Sequence, residues 1–285
     1  MRRSYLDTRL GQVHCASTGS PAAQPVVLLP QAGRSWTMHS ALMAELSDTY
    51  RVHAIDFPGS GGSDVLPSSA TIEDIAGAVV DVMDGLSIDR AFLYGLHAGN
   101  KVGAALAAAY PVRVRKFVFA GQSHSIVASN EKRLGTTAKM RLKLLAPADE
   151  RETALVQWAD LFSFISSHWW QEALMRGIAD PVSRATVVRK VVDELQASGC
   201  IADFYRANRA YDLERDLANI TVPTLVLEIA TPHETQRVGL QGPSLQQIIA
   251  GSELVTLEEA DFHGITLEDK PEVLAAILRK FFATP

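Results

Sequence analysis

The stretch Leu93-Tyr94-Gly95-Leu96-His97-Ala98-Gly99-Asn100 decides how the chain reads. Arg90 to Leu96 has the apolar, short pattern of a buried strand. His97 to Tyr110 has the small-residue and apolar spacing of a helix, and Pro111 stops it. Residue 97 therefore falls on a strand-to-helix junction, with a glycine two positions away on each side. A side chain on so tight a turn projects above the end of the sheet. Its neighbours must be small, because the turn presses backbone against backbone. The first N–H groups of the following helix lack intrahelical partners and face any anion placed there.

Outward from this junction, strands and helices alternate at the spacing of βαβ units. Tyr5 to Leu10 and Gln12 to Ala16 form a hairpin about Gly11. Pro25 to Pro30 is continuously apolar, as a strand covered on both faces should be. Ser35 caps a helix that runs to Leu46 with Met38, Leu42, Met43 and Leu46 on one side. Tyr50 to Ile55 is a strand, followed by the glycine-rich turn Asp56 to Asp64. Thr71 and Asp74 make an acidic capping box for a helix reaching about Leu86, and Val114 to Ala120 is the next strand.

The alternation then stops. From Gln122 to about Ala218 the segments Lys132–Leu145, Arg151–Phe164, Trp169–Arg176, Ser183–Ala197 and Ile201–Ala207 all read as helices. It resumes with a strand at Thr224–Leu227, a helix around Ser244–Ala250, a strand at Leu254–Leu257 and a helix from Pro271 to Phe282. The expected fold class is α/β, a mostly parallel central sheet flanked by helices. Residues 1–121 and 219–285 form the core and residues 122–218 an inserted helical lid. Trp158, Phe162, Phe164, Trp169, Trp170 and Phe204 supply that insertion with a small core of its own. A lid must also show some apolar surface to what it covers, and Trp169 is the expected contact.

At 285 residues, 47% hydrophobic and 21% charged, the composition is that of an ordinary enzyme-sized globular chain. A net charge of -5 and the absence of a basic run argue against nucleic acid. Cys15 and Cys200 form no CxxC pair and read as reduced thiols. No apolar segment follows Met1-Arg2-Arg3 or is long enough to span a bilayer, so the cytoplasm is the expected compartment and no membrane partner is implied. A homodimer stays open.

In combination these segments resemble the α/β-hydrolase superfamily, in its lidded epoxide-hydrolase-like and C–C-hydrolase-like branch. The residues at 95–99 match the nucleophile elbow G-x-S-x-G with histidine in place of serine. Asp56-Phe57-Pro58-Gly59-Ser60-Gly61-Gly62-Ser63-Asp64 resembles the family's D-x-P-G-x-G-x-S-D loop. Leu28-Leu29-Pro30-Gln31-Ala32-Gly33 stands where a strand leads into His-Gly and an oxyanion loop. Asp261-Phe262-His263, with Glu268, Asp269 and Pro271 beyond, resembles the segment of the catalytic histidine, and Pro223 to Leu227 the strand before the triad acid. The departures are His97 itself, Pro30-Gln31 for His-Gly, and Pro232 near the expected acid. Glu234 is the nearest carboxylate and Glu228 a weaker candidate; the position after the preceding strand offers only Gly121, Gln122 and Ser123.

Imidazole at position 97 has three chemical uses: direct attack through a covalent intermediate, general-base action near neutral pH, or hydrogen bonding to a substrate oxygen. The resemblance implies His263 as its acid–base partner and Glu234 as the residue orienting His263. It also implies backbone N–H groups at Ala32, Gly33 and Ala98 as oxyanion donors, a role that does not depend on side-chain identity. His124 and His233 follow strand ends and are expected to border the same cavity. The histidine spacing matches no metal motif, and neither a G-K-S/T nor a G-x-G-x-x-G loop is present, so no metal and no cofactor is implied. Two functions stay open. One is an enzyme acting on a small, largely apolar organic molecule by histidine acid–base or nucleophilic chemistry, hydrolase-like or lyase-like. The other is a non-catalytic small-ligand-binding protein on the same scaffold.

Overall fold

A computed structural model describes residues 1–121, 159, 181–197, 199–230, 235, 239–258, 267–268 and 270–284. The strands are β1 (Arg2–Thr8), β2 (Gly11–Thr18), β3 (Pro25–Leu29), β4 (Arg51–Ile55), β5 (Ala91–Leu96), β6 (Val114–Ala120), β7 (Thr224–Ala230) and β8 (Glu253–Glu258). They form one sheet in the order β1-β2-β4-β3-β5-β6-β7-β8. The β1–β2 and β2–β4 pairs are antiparallel and every other pair is parallel. The helices are α1 (Ser40–Leu46), α2 (Ile72–Gly85), α3 (Ala98–Ala109), α4 (Pro181–Ala197), α5 (Ile201–Ala210), α6 (Leu213–Ala218), α7 (Gly242–Ile248) and α8 (Pro271–Ala283). Helices α4 to α6 are inserted between β6 and β7.

The period of two along each central strand sorts the core into two layers. Val27, Leu29, Leu93, Phe117, Phe119 and Val226 face one way, into a cluster with residues of α2, α3, α5, α6 and α7. Val26, Leu28, Phe92, Tyr94, Val118, Leu225 and Leu227 face the other, against α1 and α8. Phe92 stacks on Phe282 of α8 with ring centroids 4.4 Å apart. Lys116 of β6 holds the end of α8, donating to the carbonyls of Phe281 and Thr284 at 2.9 and 2.5 Å.

Local chemistry sets the element ends where the sequence places them. The Thr71–Asp74 capping box is present, with the Thr71 hydroxyl accepting from the Asp74 N–H and the Asp74 carboxylate accepting from the Thr71 N–H. Ser35 caps the 3₁₀ turn Trp36–His39 that leads into α1, by accepting from the Thr37 N–H. Glu228, weighed above as an acid, spends its carboxylate elsewhere. It accepts from the Gln241 and Gly242 N–H groups at 2.5 and 2.7 Å and from the Thr256 hydroxyl at 3.2 Å, capping α7 from β7. Its side chain points to the α7 face because residue 228 has the parity of Val226. Cys15 and Cys200 are both free and buried.

Two buried histidines carry a stability cost at low pH. Burial pushes the His39 ring down to about 4, with Glu268 opposing and Arg34 adding to the shift. Burial likewise pushes His53 down to about 4, with Arg51 contributing. In the unfolded chain both titrate near 6.5, so the unfolded state binds protons that the folded state refuses. Stability is therefore fully present above about pH 6.5 and declines as the pH falls toward 4. Urea midpoints should fall across that window, and His39→Gln should flatten the decline. A midpoint independent of pH there would show that the rings are not held neutral.

Candidate active site

The C-terminal ends of β3, β5 and β6 meet at residue 97. His97 adopts φ 49° and ψ −107°, a backbone conformation that few non-glycine residues tolerate, and it caps α3. Its N–H donates to the Ala120 carbonyl at 3.0 Å, and the Asn100 side-chain amide donates to the same carbonyl at 2.9 Å. The turn is thus tied to the end of β6 from both sides. A Cβ at Gly95 would stand 2.4 Å from the Gly99 carbonyl oxygen, and a Cβ at Gly99 would stand 2.3 Å from the Leu29 carbonyl oxygen. Both contacts are with backbone, so neither can yield by a rotamer change. The two glycines are what let the first turn of α3 close on the end of β3.

The His97 ring leans over Gly121. A Cβ at Gly121 would come within 3.0 to 3.2 Å of three of its ring atoms, and Gly121 itself holds φ 77°. Position 121 therefore makes room for an imidazole and supplies no acid. Ala32 and Gly33 follow β3 directly and Ala98 opens α3. Because Leu29 of β3 is in register with Gly95 of β5, all three backbones lie at one end of the sheet. The turn at Gly33 has φ 73° and is closed by the Arg34 N–H bonding the Gln31 carbonyl at 3.1 Å. Ala98 is among the first helical residues, whose N–H groups have no helical acceptor.

Asp56 organises the glycine-rich turn beside this end of the sheet. Its carboxylate accepts from the His14 ring at 2.9 Å, from the Gly62 N–H at 2.9 Å and from the Trp36 N–H at 2.5 Å. The inserted helices close on this turn and on the loop after β3. Phe204 of α5 stacks on Phe57 at 5.7 Å, and a Cβ at Gly59 would strike Cys200.

Two buried cations that no motif marks, Arg34 and Lys101, emerge here. Arg34, almost wholly buried, donates through Nε to Asp193 of α4 at 2.9 Å and through both terminal nitrogens to Glu268 at 2.7 and 2.9 Å. Burial pulls its pKa down, but the Glu268 and Asp193 carboxylates outweigh that and hold it above the ordinary arginine value. Lys101 of α3 is buried and donates to the Asn208 side chain of α5; burial pushes its pKa down to about 7. The signal available in the sequence was a charged residue in an otherwise small or apolar setting: Arg34 after Gln31-Ala32-Gly33, and Lys101 within Ala98 to Ala109.

A family model described as "alpha/beta hydrolase fold" matches residues 24–227, well over half of the chain. The chain belongs to the alpha/beta-hydrolase fold family. Among solved structures, this α/β-hydrolase is similar to the enol-lactonase from Burkholderia xenovorans LB400, with TM-score 0.77, 25% identity, and 99% and 100% of the two chains covered. Among curated proteins, it is 22% identical over 279 residues to 3-oxoadipate enol-lactonase 1 of Acinetobacter baylyi, covering 97% of this chain and 95% of that one. It is also 36% identical over 97 residues to an uncharacterized carboxylesterase of Bacillus subtilis, covering 34% of this chain and 32% of that one. Over such shorter matches the chain spans 32 to 44% of the length of the relatives concerned.

Of the residues singled out in the sequence, His97, Ala32, Gly33 and Ala98 are brought to one end of the sheet. His263, Glu234, His124, His233 and Trp169 lie outside the described residues. Among the described residues there is no cluster of three or more potential metal ligands and no helix long and apolar enough to cross a membrane.

The close approach of the elbow to β3 predicts the response to a single methyl group. Gly99→Ala should destabilise by about 3 kcal/mol, the upper part of the overpacking range, because the clash is with backbone. Chemical denaturation checks this, and a cost below about 1 kcal/mol would mean that the elbow relaxes freely.

Proposed function

We propose that this α/β-hydrolase is an enzyme in which His97 takes the place of the elbow nucleophile and acts on a small, largely apolar organic substrate. The observation that carries this reading is the backbone at residue 97. A φ of 49° on a histidine costs free energy, and the flanking residues are shaped to sustain it. The strain accompanies the close approach of α3 to the end of β3. It serves to aim one side chain above the sheet, next to N–H groups that stabilise negative charge.

In this proposal Ala32, Gly33 and Ala98 supply the oxyanion donors. His263 is the acid–base partner, Glu234 orients it, and His124, His233 and Trp169 border the substrate. Residues 122–218 form the lid over residues 1–121 and 219–285. The imidazole of His97 works in one of two ways. As a nucleophile, it adds to an acyl carbon, the carbonyl oxygen takes the negative charge, and the leaving group departs with a proton from His263; water then cleaves the acyl-imidazole. As a base, it takes a proton from water or an acidic C–H and returns it to the product. Both steps are hydrolase-like or lyase-like in outcome. The two enol-lactonases among the similar proteins support a small cyclic or activated ester as a first substrate to try.

One observation favours a second reading, a non-catalytic binder of a small ligand. The His97 ring lies against Gly121 and the residue is only 9% exposed, which leaves little of it open to a substrate.

A panel of p-nitrophenyl esters and enol-lactones, assayed with the wild-type protein and the His97→Ala and His263→Ala variants, separates the readings. The enzyme reading expects kcat/KM to fall at least about a hundredfold in each variant, the scale of lost general acid–base or nucleophilic action. Turnover close to wild type in both variants would remove His97 and His263 from the chemistry. Saturable binding without turnover would establish the binder.

A further inference from the structure

We infer that Arg34 is a positioning residue that docks the inserted helix α4 and the chain following His263 onto the oxyanion loop as one unit. The inference rests on the enzyme reading above for its kinetic consequence, but its structural part stands apart from that reading. Arg34 is the residue immediately after Gly33, a proposed oxyanion donor. Its guanidinium has two clients on different parts of the chain: Asp193, near the C-terminal end of α4, and Glu268, five residues beyond His263. The fork toward Glu268 is bidentate, a geometry that fixes orientation as well as distance.

The surroundings show that this contact is built into the fold. Asp193 also accepts from the Ser35 hydroxyl at 2.6 Å, and the Thr37 hydroxyl lies 3.3 Å from its second oxygen. Lys190, one turn earlier on α4, places Nζ 3.7 Å from the same Glu268. Among the described residues, Arg34 and Lys190 thus face Asp193 and Glu268, with the side chains of Arg34, Asp193 and Glu268 all below 5% exposed. Such a buried set is costly to open, because removing a partner leaves a buried charge with less compensation. The inserted helices also press on the loop directly: a Cβ at Gly33 would meet Ile201 of α5 at 3.0 Å and Glu194 of α4 at 3.2 Å. Displacing α4 thus releases Arg34, and releasing Arg34 frees both the Ala32–Gly33 turn and the point where the chain leaves the His263 segment. A catalytic geometry disturbed by even about 1 Å loses rate on the order of a hundredfold.

The test uses the full-length protein with Arg34→Met, Arg34→Lys and Glu268→Gln, read by hydrogen–deuterium exchange and by steady-state kinetics below the unfolding transition. The expected exchange result is joint loosening in Arg34→Met of α4 over residues 188–197 and of the start of α8, with β5, β6 and α3 as protected as in the wild type. Arg34→Lys should restore protection only in part, since a single ammonium cannot serve both carboxylates in the forked geometry. The expected kinetic result on the best substrate of the panel is a fall in kcat of about tenfold or more in Arg34→Met and Glu268→Gln, with KM changed less than about threefold. A merely structural role would lower Tm and leave kcat of the folded fraction in place, and that outcome overturns the inference. So does loosening confined to α4 or to α8 alone, which would break the coupling. If no substrate is turned over, the exchange arm still decides the docking, while the enzyme reading fails separately.

Discussion

Everything at this end of the molecule depends on how closely the first turn of α3 approaches the end of β3. That approach brings a helix backbone within contact of the Leu29 and Pro30 carbonyls, a distance only glycine permits at position 99. Residue 97 holds φ 49° at this junction, and Ala98 opens α3 at the same end of the sheet. The hydrogen bonds from His97 and Asn100 to the Ala120 carbonyl then lock the turn to β6. The local strain is sustained by a large, two-layered core whose strands are fully buried around it.

Much of this was legible in the sequence because several independent signals agreed. The Thr71–Asp74 box, the stop at Pro111 and the start at Pro271 are short-range effects, decided by atoms a few residues apart. The sheet followed from continuous apolar runs, and the glycines at 95 and 99 marked the elbow. Helix α6 is absent from the sequence reading because Leu213 to Ala218 is short and polar on its surface, and β7 runs past the apolar run Thr224–Leu227, through Glu228 to Ala230. In the fold that carboxylate is satisfied by the start of α7, a partner that chain order alone does not reveal.

The site was legible in its local half only. His97, Ala98, Ala32 and Gly33 sit on motifs whose geometry is set within a few residues. The buried set around Arg34 was not, since its members are 159 and 234 positions apart in the chain. Lys101 and Asn208 are a similar case, joined only when α5 packs on α3. A charged side chain next to a motif is a hint of burial, but its partner is a property of the tertiary fold.

Gly121 has a consequence for how such a protein changes over generations. The close backbone contacts of the turn fall on Gly95 and Gly99, whereas the side chain at 97 is met by position 121. Gly121 leaves the space that an imidazole needs beside it. A side chain added at position 121 would meet the His97 ring at 3.0 to 3.2 Å, so the sizes of the residues at 97 and 121 constrain each other and must change together across generations.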